Sequence, residues 1–139
     1  MIDEWPDRVP RVGVGAVIVR DGALLMVERG RPPRAGEWAI PGGKVRWGEQ
    51  LEDAVAREVL EETGLIVEVG DLLWSGQTVG PDWHFVLLDF EASVVAGELS
   101  AGDDAAAVAW VPLQQIEALP VTSSMLELIA VLRSRSDAG

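Results

Sequence analysis

The chain contains no cysteine and only one histidine. Without cysteine there is no disulfide framework and no thiol nucleophile, and the redox compartment is not identified. No apolar run reaches the ~18 residues that a membrane-spanning helix needs, and the N-terminal MIDEWPDRVP is acidic and interrupted by proline. We therefore expect a soluble, cytoplasmic protein without a membrane partner.

Basic residues are also scarce. The chain has 11 of them and 23 acidic residues, so the formal net charge is −12. This charge disfavours long polyanions, so we expect no nucleic-acid polymer as a partner. The basic residues nevertheless cluster at positions 29–46, where Glu37 is the single acid. A short phosphate chain would suit this window, and ordinary loop solubility is the alternative. The cluster consists of Arg29, Arg31, Arg34, Lys44 and Arg46.

A helix is predicted over residues 50–63, which contain neither glycine nor proline. Leu51, Val55 and Val59 recur at a spacing that places them on one helical face. Gly64 follows and is expected to end the helix.

Two carboxylates interrupt the apolar face of this helix. The helical spacing brings Glu58 and Glu62 onto the face, and Glu61 lies one turn from Glu58. Carboxylates this close repel one another and need a cation if they are partly buried. Oxygen ligands suit Mg²⁺, which usually completes its shell with water and substrate phosphate. An exposed acidic helix end is the alternative interpretation.

The segment from Gly43 to Leu65 fits the pattern G-x5-E-x7-R-E-U-x-E-E-x-G-U, in which U is aliphatic. This pattern resembles the Nudix hydrolase box, and the resemblance covers 23 of 139 residues. Every fixed position matches. These positions are Gly43, Glu49, Arg57, Glu58, Val59, Glu61, Glu62, Gly64 and Leu65.

The resemblance implies an α/β fold, a Nudix-type α/β/α sandwich with a mixed β-sheet. It also implies hydrolysis of a nucleoside diphosphate linked to another moiety, with Mg²⁺ or Mn²⁺ as cofactor. By position, Glu58 and Glu62 resemble the main metal ligands and the carbonyl of Gly42 a backbone ligand. Glu61 resembles a further ligand or the group that orients the attacking water.

Arg57 and Glu49 resemble supporting residues of that box. Arg57 precedes Glu61 by one turn, so we expect a bidentate pair between them. Glu49 precedes the helix and would favour its positive end. Related sequences often place a further acid before the last strand, where Asp103 and Asp104 are the candidates here. The base therefore stays open between Glu61 and this Asp pair, for which a turn-forming role is the alternative.

Three of the six tryptophans, Trp38, Trp47 and Trp83, are candidates for stacking on a nucleobase, although core packing is the commoner role. His84 lacks a partner motif, so a structural role is favoured. Pro81 follows Leu65 by 16 residues, which resembles the ADP-ribose-cleaving branch of the family.

ADP-ribose or a nucleotide sugar is the favoured substrate, and clean-up of nucleoside triphosphates or oxidised nucleotides, as in MutT-like members, is the alternative. A non-catalytic nucleotide-sensing module is disfavoured by the intact acids. An isomerase of isopentenyl diphosphate is disfavoured by the absent cysteine. A homodimer is one option for assembly.

The length indicates one domain over residues 1–139, with a loose lead-in at 1–10 and a frayed tail at 134–139. The periodicities predict two hairpin strands around a turn at Asp21-Gly22, and later strands and a C-terminal helix. The predicted strands are Val12–Arg20, Ala23–Glu28, Leu65–Val69, Leu72–Ser75, Trp83–Val95 and Val108–Val111, and the helix is Val121–Arg133.

Overall fold

The computed structural model describes residues 8–32, 34–102 and 104–138. The strands are β1 (Arg11–Val17), β2 (Val19–Arg20), β3 (Ala23–Arg29), β4 (Trp38–Ala39), β5 (Gly42–Lys44), β6 (Leu65–Val79), β7 (His84–Gly97) and β8 (Ala105–Pro112). The helices are α1 (Leu51–Thr63) and α2 (Ser123–Ala138), and a short 3-10 helix covers Leu113–Ala118. Over the described part of the chain, no helix combines the length and apolarity needed to cross a membrane.

The strands form two sheets. The first has the order β5-β1-β7-β6, with β1 and β7 parallel and the other neighbours antiparallel. In the second sheet β3 is the central strand, and β2, β4 and β8 all pair with it in antiparallel orientation. The mixed sheet that was expected is the first of these two sheets, and the described pairs of the second are all antiparallel.

Each sheet packs against one helix. The first core joins Val55 and Val59 of α1 to Val14 and Ala16 of β1 and Phe90 of β7. The second joins strands β3 and β8 to α2 through the buried side chains Leu24, Met26, Val111, Met125, Leu128 and Ile129. These two cores give the α/β/α layering that the sequence predicted, and they account for the apolar periodicity of both helices.

Two local predictions are confirmed. Asp21 and Gly22 have φ values of 53° and 76°, and Arg20 pairs directly with Ala23, as a two-residue hairpin turn requires. Gly64 ends α1 in the left-handed conformation, with φ 76° and its N–H donating to the carbonyl of Leu60.

Other boundaries differ from the prediction. The strand expected over Val12–Arg20 divides at the buried Ile18, so that β1 joins the first sheet and β2 the second. The two runs expected between Leu65 and Ser75 form one strand, because register shifts near Leu72 absorb the irregularity. The C-terminal helix begins at Ser123, and residues 134–138 are helical rather than frayed.

Gly42 tests how tightly the edge strand β5 packs. A Cβ at this position would lie 2.9 Å from the Cα of Gly15 and even closer to the carbonyl oxygen of Val14. Because those atoms are backbone, we expect Gly42→Ala to lower the free energy of unfolding by about 1–3 kcal/mol. Gly70→Ala is the control, since its Cβ would meet the carbonyl oxygen of Glu91 at an ordinary 3.5 Å. Equal denaturant midpoints for the two variants would contradict this account of packing.

Candidate active site

Helix α1 presents its acidic side to strand β5. Burial of Val55 and Val59 against the first sheet sets the rotation of the helix, and the side chain of Glu58 is left only 15% exposed. A Cβ on Gly43 would lie 2.5 Å from the Glu58 carboxyl carbon and 2.6 Å from both of its oxygens. The glycine therefore makes room for this carboxylate beside the strand.

Glu62 is bound to the same strand. Its Oε1 accepts a hydrogen bond of 2.8 Å from the backbone N–H of Gly42. Burial raises the pKa of Glu62 to about 8, and the neighbouring Glu58 carboxylate adds to the rise, whereas the Gly42 N–H opposes it. Negative charge is therefore unfavourable at Glu62 unless a positive group is close.

Arg57 joins the helix to the loop that precedes it. Its Nε and Nη2 donate to the two oxygens of Glu49 at 2.7 and 2.9 Å, and Nη2 also donates to the carbonyl of Lys44 at 3.0 Å. Nη1 donates to Glu58 at 2.6 Å and reaches Glu61 only at 3.4 Å. The bidentate partner is thus Glu49, and the pair expected between Arg57 and Glu61 is a single weak contact.

The short hydrogen bonds between Arg57 and Glu49 shift the pKa of both residues. The Arg57 guanidinium, followed by the backbone N–H of Arg46 at 3.0 Å, lowers the pKa of Glu49 to about 2. The Glu49 carboxylate in turn raises the pKa of Arg57 above its usual range. These bonds hold the Glu49 carboxylate against the Arg57 guanidinium, near the start of helix α1.

Glu61 differs from its two neighbours on the helix. Its side chain is 50% exposed, and its Oε1 lies 3.7 Å from an Nη2 atom of Arg46. Because Arg57 and Arg46 approach different oxygens of Glu61, the carboxylate is oriented but not enclosed. It is the one of the three acids that solvent reaches most readily.

The three acids open into one cavity of about 770 Å³, which we call the carboxylate cavity. Residues of the basic window also line it, so that negative and positive groups border the same space. The residues that matter for its chemistry are Arg29, Arg31, Gly42, Gly43, Lys44, Glu58, Glu61, Glu62 and Asp104.

The residues of this cavity fit a hard divalent cation, although the ligands are not preassembled. Within residues 8–32, 34–102 and 104–138, no three carboxylate or imidazole groups already converge on one point. Glu58 is held by Arg57, and Glu62 by the Gly42 N–H. The donor set consists only of oxygen atoms, and burial, with a smaller contribution from the Glu58 carboxylate, raises the pKa of Glu62, so that a bound cation would favour its charged form. Both features suit Mg²⁺ or Mn²⁺.

A second cavity of about 500 Å³ adjoins the first through Lys44, and we call it the aromatic cavity. Trp83 and Phe85 line it, and the Lys44 ammonium lies 5.7 Å from the centre of the Phe85 ring. Arg34 lies 5.9 Å from the centre of the Trp83 ring, on the far side of the basic window. Pro81 is also part of the lining. Sequence reasoning missed Phe85, although it lies only two residues after the nominated Trp83 and lines the same cavity.

The other sequence candidates divide between the cavities and the rest of the surface. Trp38 pairs with Glu28 of β3 and packs against the second core, so it lines neither cavity. Trp47 is fully exposed on the loop before α1. His84 lines the aromatic cavity and hydrogen-bonds Gln77 through Nε2 at 3.0 Å.

Of the two proposed further acids, Asp104 lies within the described residues, on the loop before β8. Asp104 lines the carboxylate cavity and pairs with the Nε of Arg31 at 3.1 Å. Its carbonyl accepts the N–H of Gly30, which ties the loop before β8 to the end of β3. Asp103 lies outside the described residues.

Comparison with known proteins places this geometry in context. The profile of the NUDIX domain family matches residues 9–132. Over 98 residues the chain is 44% identical to the ADP-ribose pyrophosphatase of Methanocaldococcus jannaschii, a match that covers 69% of this chain and 58% of that protein. The chain thus spans less than two thirds of that relative.

Two further similarities cover a larger share of the protein that is compared. A putative 8-oxo-dGTP diphosphatase 2 of Mycobacterium tuberculosis strain H37Rv is 39% identical over 111 residues, 76% of each chain. The crystal structure of a MutT NUDIX hydrolase from Burkholderia pseudomallei superposes with a TM-score of 0.82 at 36% identity, covering 88% of this chain and 98% of that one.

The raised pKa of Glu62 predicts how stability depends on pH in metal-free protein. Because this pKa rises from its ordinary 4.5 to about 8, the folded state binds more protons than the unfolded state between these values. The free energy of unfolding should therefore fall as pH rises through this window. We expect the Tm of wild type in EDTA to fall between pH 5 and 8, and Glu62→Gln to fall less and to melt higher at pH 8. Glu52→Gln, an exposed change in the first turn of α1, is the control. Parallel Tm curves for wild type and Glu62→Gln would refute the prediction.

Proposed function

The chain belongs to the Nudix hydrolase family, and on that premise we propose that it hydrolyses the diphosphate bond of a nucleoside diphosphate linked to another moiety. The favoured substrates are ADP-ribose and nucleotide sugars. One observation carries the proposal: the acids of α1 line one cavity together with Arg29, Arg31 and Lys44, and this cavity adjoins a second one with aromatic walls. A diphosphate flanked by two organic groups matches this order of charged and apolar surfaces.

The charged groups divide the work of holding the diphosphate. Glu58, Glu62 and the carbonyl of Gly42 would hold a divalent cation, with Glu61 as a further ligand or as the group that orients water. When bound, Mg²⁺ or Mn²⁺ would neutralise developing phosphate charge and acidify the attacking water. Arg29 and Lys44, which line the same cavity, would bind the phosphate oxygens directly. Arg31 is already paired with Asp104, so its contribution is smaller.

The reaction needs a general base, and it needs the carboxylates of the site to be held in fixed positions. The oxygen of a water molecule attacks one phosphorus, the bridging P–O bond breaks, and the bridging oxygen leaves with the other phosphate. Glu61 is our choice of base, because it is half exposed and two arginines orient its oxygens. Arg57 positions Glu58 and Glu49 and so keeps α1 in register with the loop after β5. The products are a nucleoside monophosphate and the phosphorylated second moiety.

The aromatic cavity would receive one of the organic groups. Trp83 and Phe85 offer flat apolar surface for a base or sugar, and Arg34 next to Trp83 would favour an anionic or electron-rich group. Pro81 shapes the loop that closes this cavity. We favour ADP-ribose because the M. jannaschii relative is an ADP-ribose pyrophosphatase at 44% identity.

Clean-up of nucleoside triphosphates is the second candidate. The M. tuberculosis relative carries the name putative 8-oxo-dGTP diphosphatase 2 and matches 76% of each chain. The same acids and bases would serve this reaction, since a triphosphate contains the same anhydride bond. The difference would lie in what the aromatic cavity accepts.

A substrate panel separates the two candidates. We expect kcat/KM for ADP-ribose or another nucleotide sugar to exceed that for the common dNTPs and 8-oxo-dGTP, all measured at one Mg²⁺ concentration. No turnover should occur in EDTA. A triphosphate that exceeds every diphosphate sugar by tenfold, about 1.4 kcal/mol of transition-state preference, would make the second candidate the function.

Substitutions on α1 test the assigned roles. If a ligand supplies about 3–4 kcal/mol of transition-state stabilisation, Glu58→Gln and Glu62→Gln should each lower kcat by about 10²–10³. Glu61→Gln should lower kcat more than Asp104→Asn, because Asp104 is engaged by Arg31. Glu52→Gln is the control on the same helix. A larger loss at Asp104 would move the base to the loop before β8, and near-normal turnover of both ligand variants at saturating Mg²⁺ would exclude the ligand roles.

A further inference from the structure

Asp89 is a partly buried acid that plays no part in the chemistry described so far. Asp89 lies in β7, within the otherwise apolar run Phe85–Phe90. Its side chain is partly buried, and no described residue gives its carboxylate a hydrogen bond or ion pair. Burial raises the pKa of Asp89 to about 7. An unpartnered polar group in this setting reduces stability, and such groups commonly serve a ligand.

The register of the first sheet relates Asp89 to the carboxylate cavity. Gly15 of β1 pairs with Gly42 on one side and with Asp89 on the other, and Asp89 also pairs with Trp74. Residues opposite each other in a sheet share a face. Asp89 is therefore two strands, roughly 10 Å, from the Gly42 backbone that binds Glu62.

The missing side chain of Gly15 makes room for Asp89. A Cβ on Gly15 would lie 2.5 Å from Oδ1 of Asp89 and 2.7 Å from Cδ1 of Ile40. Both side chains thus lie over the glycine, and Ile40 also lines the carboxylate cavity. A group that extends from that cavity past Ile40 would reach the Asp89 carboxylate.

The same face continues towards the aromatic cavity. Along β7, Leu87 and Phe85 are on the Asp89 side, because alternate residues of a strand share a face. Leu87 lies beside Gly13, whose added Cβ would be 3.3 Å from Leu87 Cδ2. Phe85 lines the aromatic cavity. Asp89 thus lies on a glycine-lined stretch of this face that adjoins the carboxylate cavity through Ile40 and the aromatic cavity through Phe85.

We propose that Asp89 is a specificity-determining residue whose carboxylate accepts a hydrogen bond from the nucleoside part of the substrate. The donor is an N–H of the base or a hydroxyl of the sugar, which share this chemistry. The inference rests on the proposed function, in that it takes the substrate to be a nucleotide. Ile40 and Leu87 give the carboxylate partly apolar surroundings, in which a ligand with a correctly placed donor is selected more strongly.

Binding to three probes tests the proposal without bond cleavage. The probes are α,β-methylene-ADP, its 2′-deoxy analogue and its analogue with unsubstituted purine as the base, each titrated calorimetrically in Mg²⁺. Asp89→Leu should weaken binding of α,β-methylene-ADP at least tenfold, and Asp89→Asn less, because the amide keeps one acceptor. Asp71→Asn, an exposed change in the neighbouring β6, should bind as wild type does.

The analogues identify the donor. If the 2′-hydroxyl donates, wild type and Asp89→Leu should bind the deoxy analogue equally. If the amino group of adenine donates, they should bind the purine analogue equally. If the donor is the 3′-hydroxyl, all three probes should lose affinity by the same factor.

Kinetics and melting distinguish this role from a structural one. With the best substrate of the panel, Asp89→Leu should raise KM at least tenfold, change kcat less than twofold and leave Tm unchanged or higher. Equal binding of every probe by wild type and Asp89→Leu, including no measurable binding by both, overturns the proposal, as does a joint fall in kcat and Tm. Failure of wild type to cleave any diphosphate contradicts the proposed function instead, and the calorimetric comparison still decides the role of Asp89.

Discussion

The guanidinium of Arg57 is the interaction on which the candidate site depends. It bonds Glu49 and the carbonyl of Lys44 on the loop side, and Glu58 on the helix side. A single planar group therefore sets the distance between α1 and the strand β5. A lysine offers one point charge and no fork, so it would not bind Glu49 through two parallel bonds and Glu58 at the same time.

Glycines in β5 allow this strand to lie as close to α1 as the hydrogen bonds of Arg57 require. Gly43 leaves space for the Glu58 carboxylate, and Gly42 lies so close to β1 that a side chain would displace backbone atoms. The outcome is a set of carboxylates held at a strand edge, where burial, and to a smaller extent the neighbouring Glu58, raises the pKa of Glu62. Without a cation the protein is therefore less stable, and the same carboxylates favour the binding of one.

The charge distribution of the whole chain gains a local meaning from the fold. A net charge of −12 is unfavourable for an anionic ligand, yet Arg29 and Lys44 line the carboxylate cavity, and Arg34 lies beside Trp83 of the aromatic cavity. The aromatic and carboxylate cavities meet at Lys44, so one flexible cation adjoins both surfaces. This continuity, rather than either cavity alone, is what suits a diphosphate with organic groups at both ends.

Short-range features were readable from the sequence, because backbone geometry alone determines them. The span of α1, its end at Gly64, the turn at Asp21-Gly22 and the grouping of Glu58, Glu61 and Glu62 all follow from helical spacing and positive φ. Tertiary structure decided what depends on register between distant strands and on side-chain direction. It arranged the strands in two sheets where one was expected, and it made Glu49 rather than Glu61 the bidentate partner of Arg57. It also packed Trp38 against the second core, whereas Phe85 lines a cavity. It also set Asp89 over Gly15, 74 positions earlier in the chain, a contact that no local spacing encodes because only the pairing of β1 with β7 creates it.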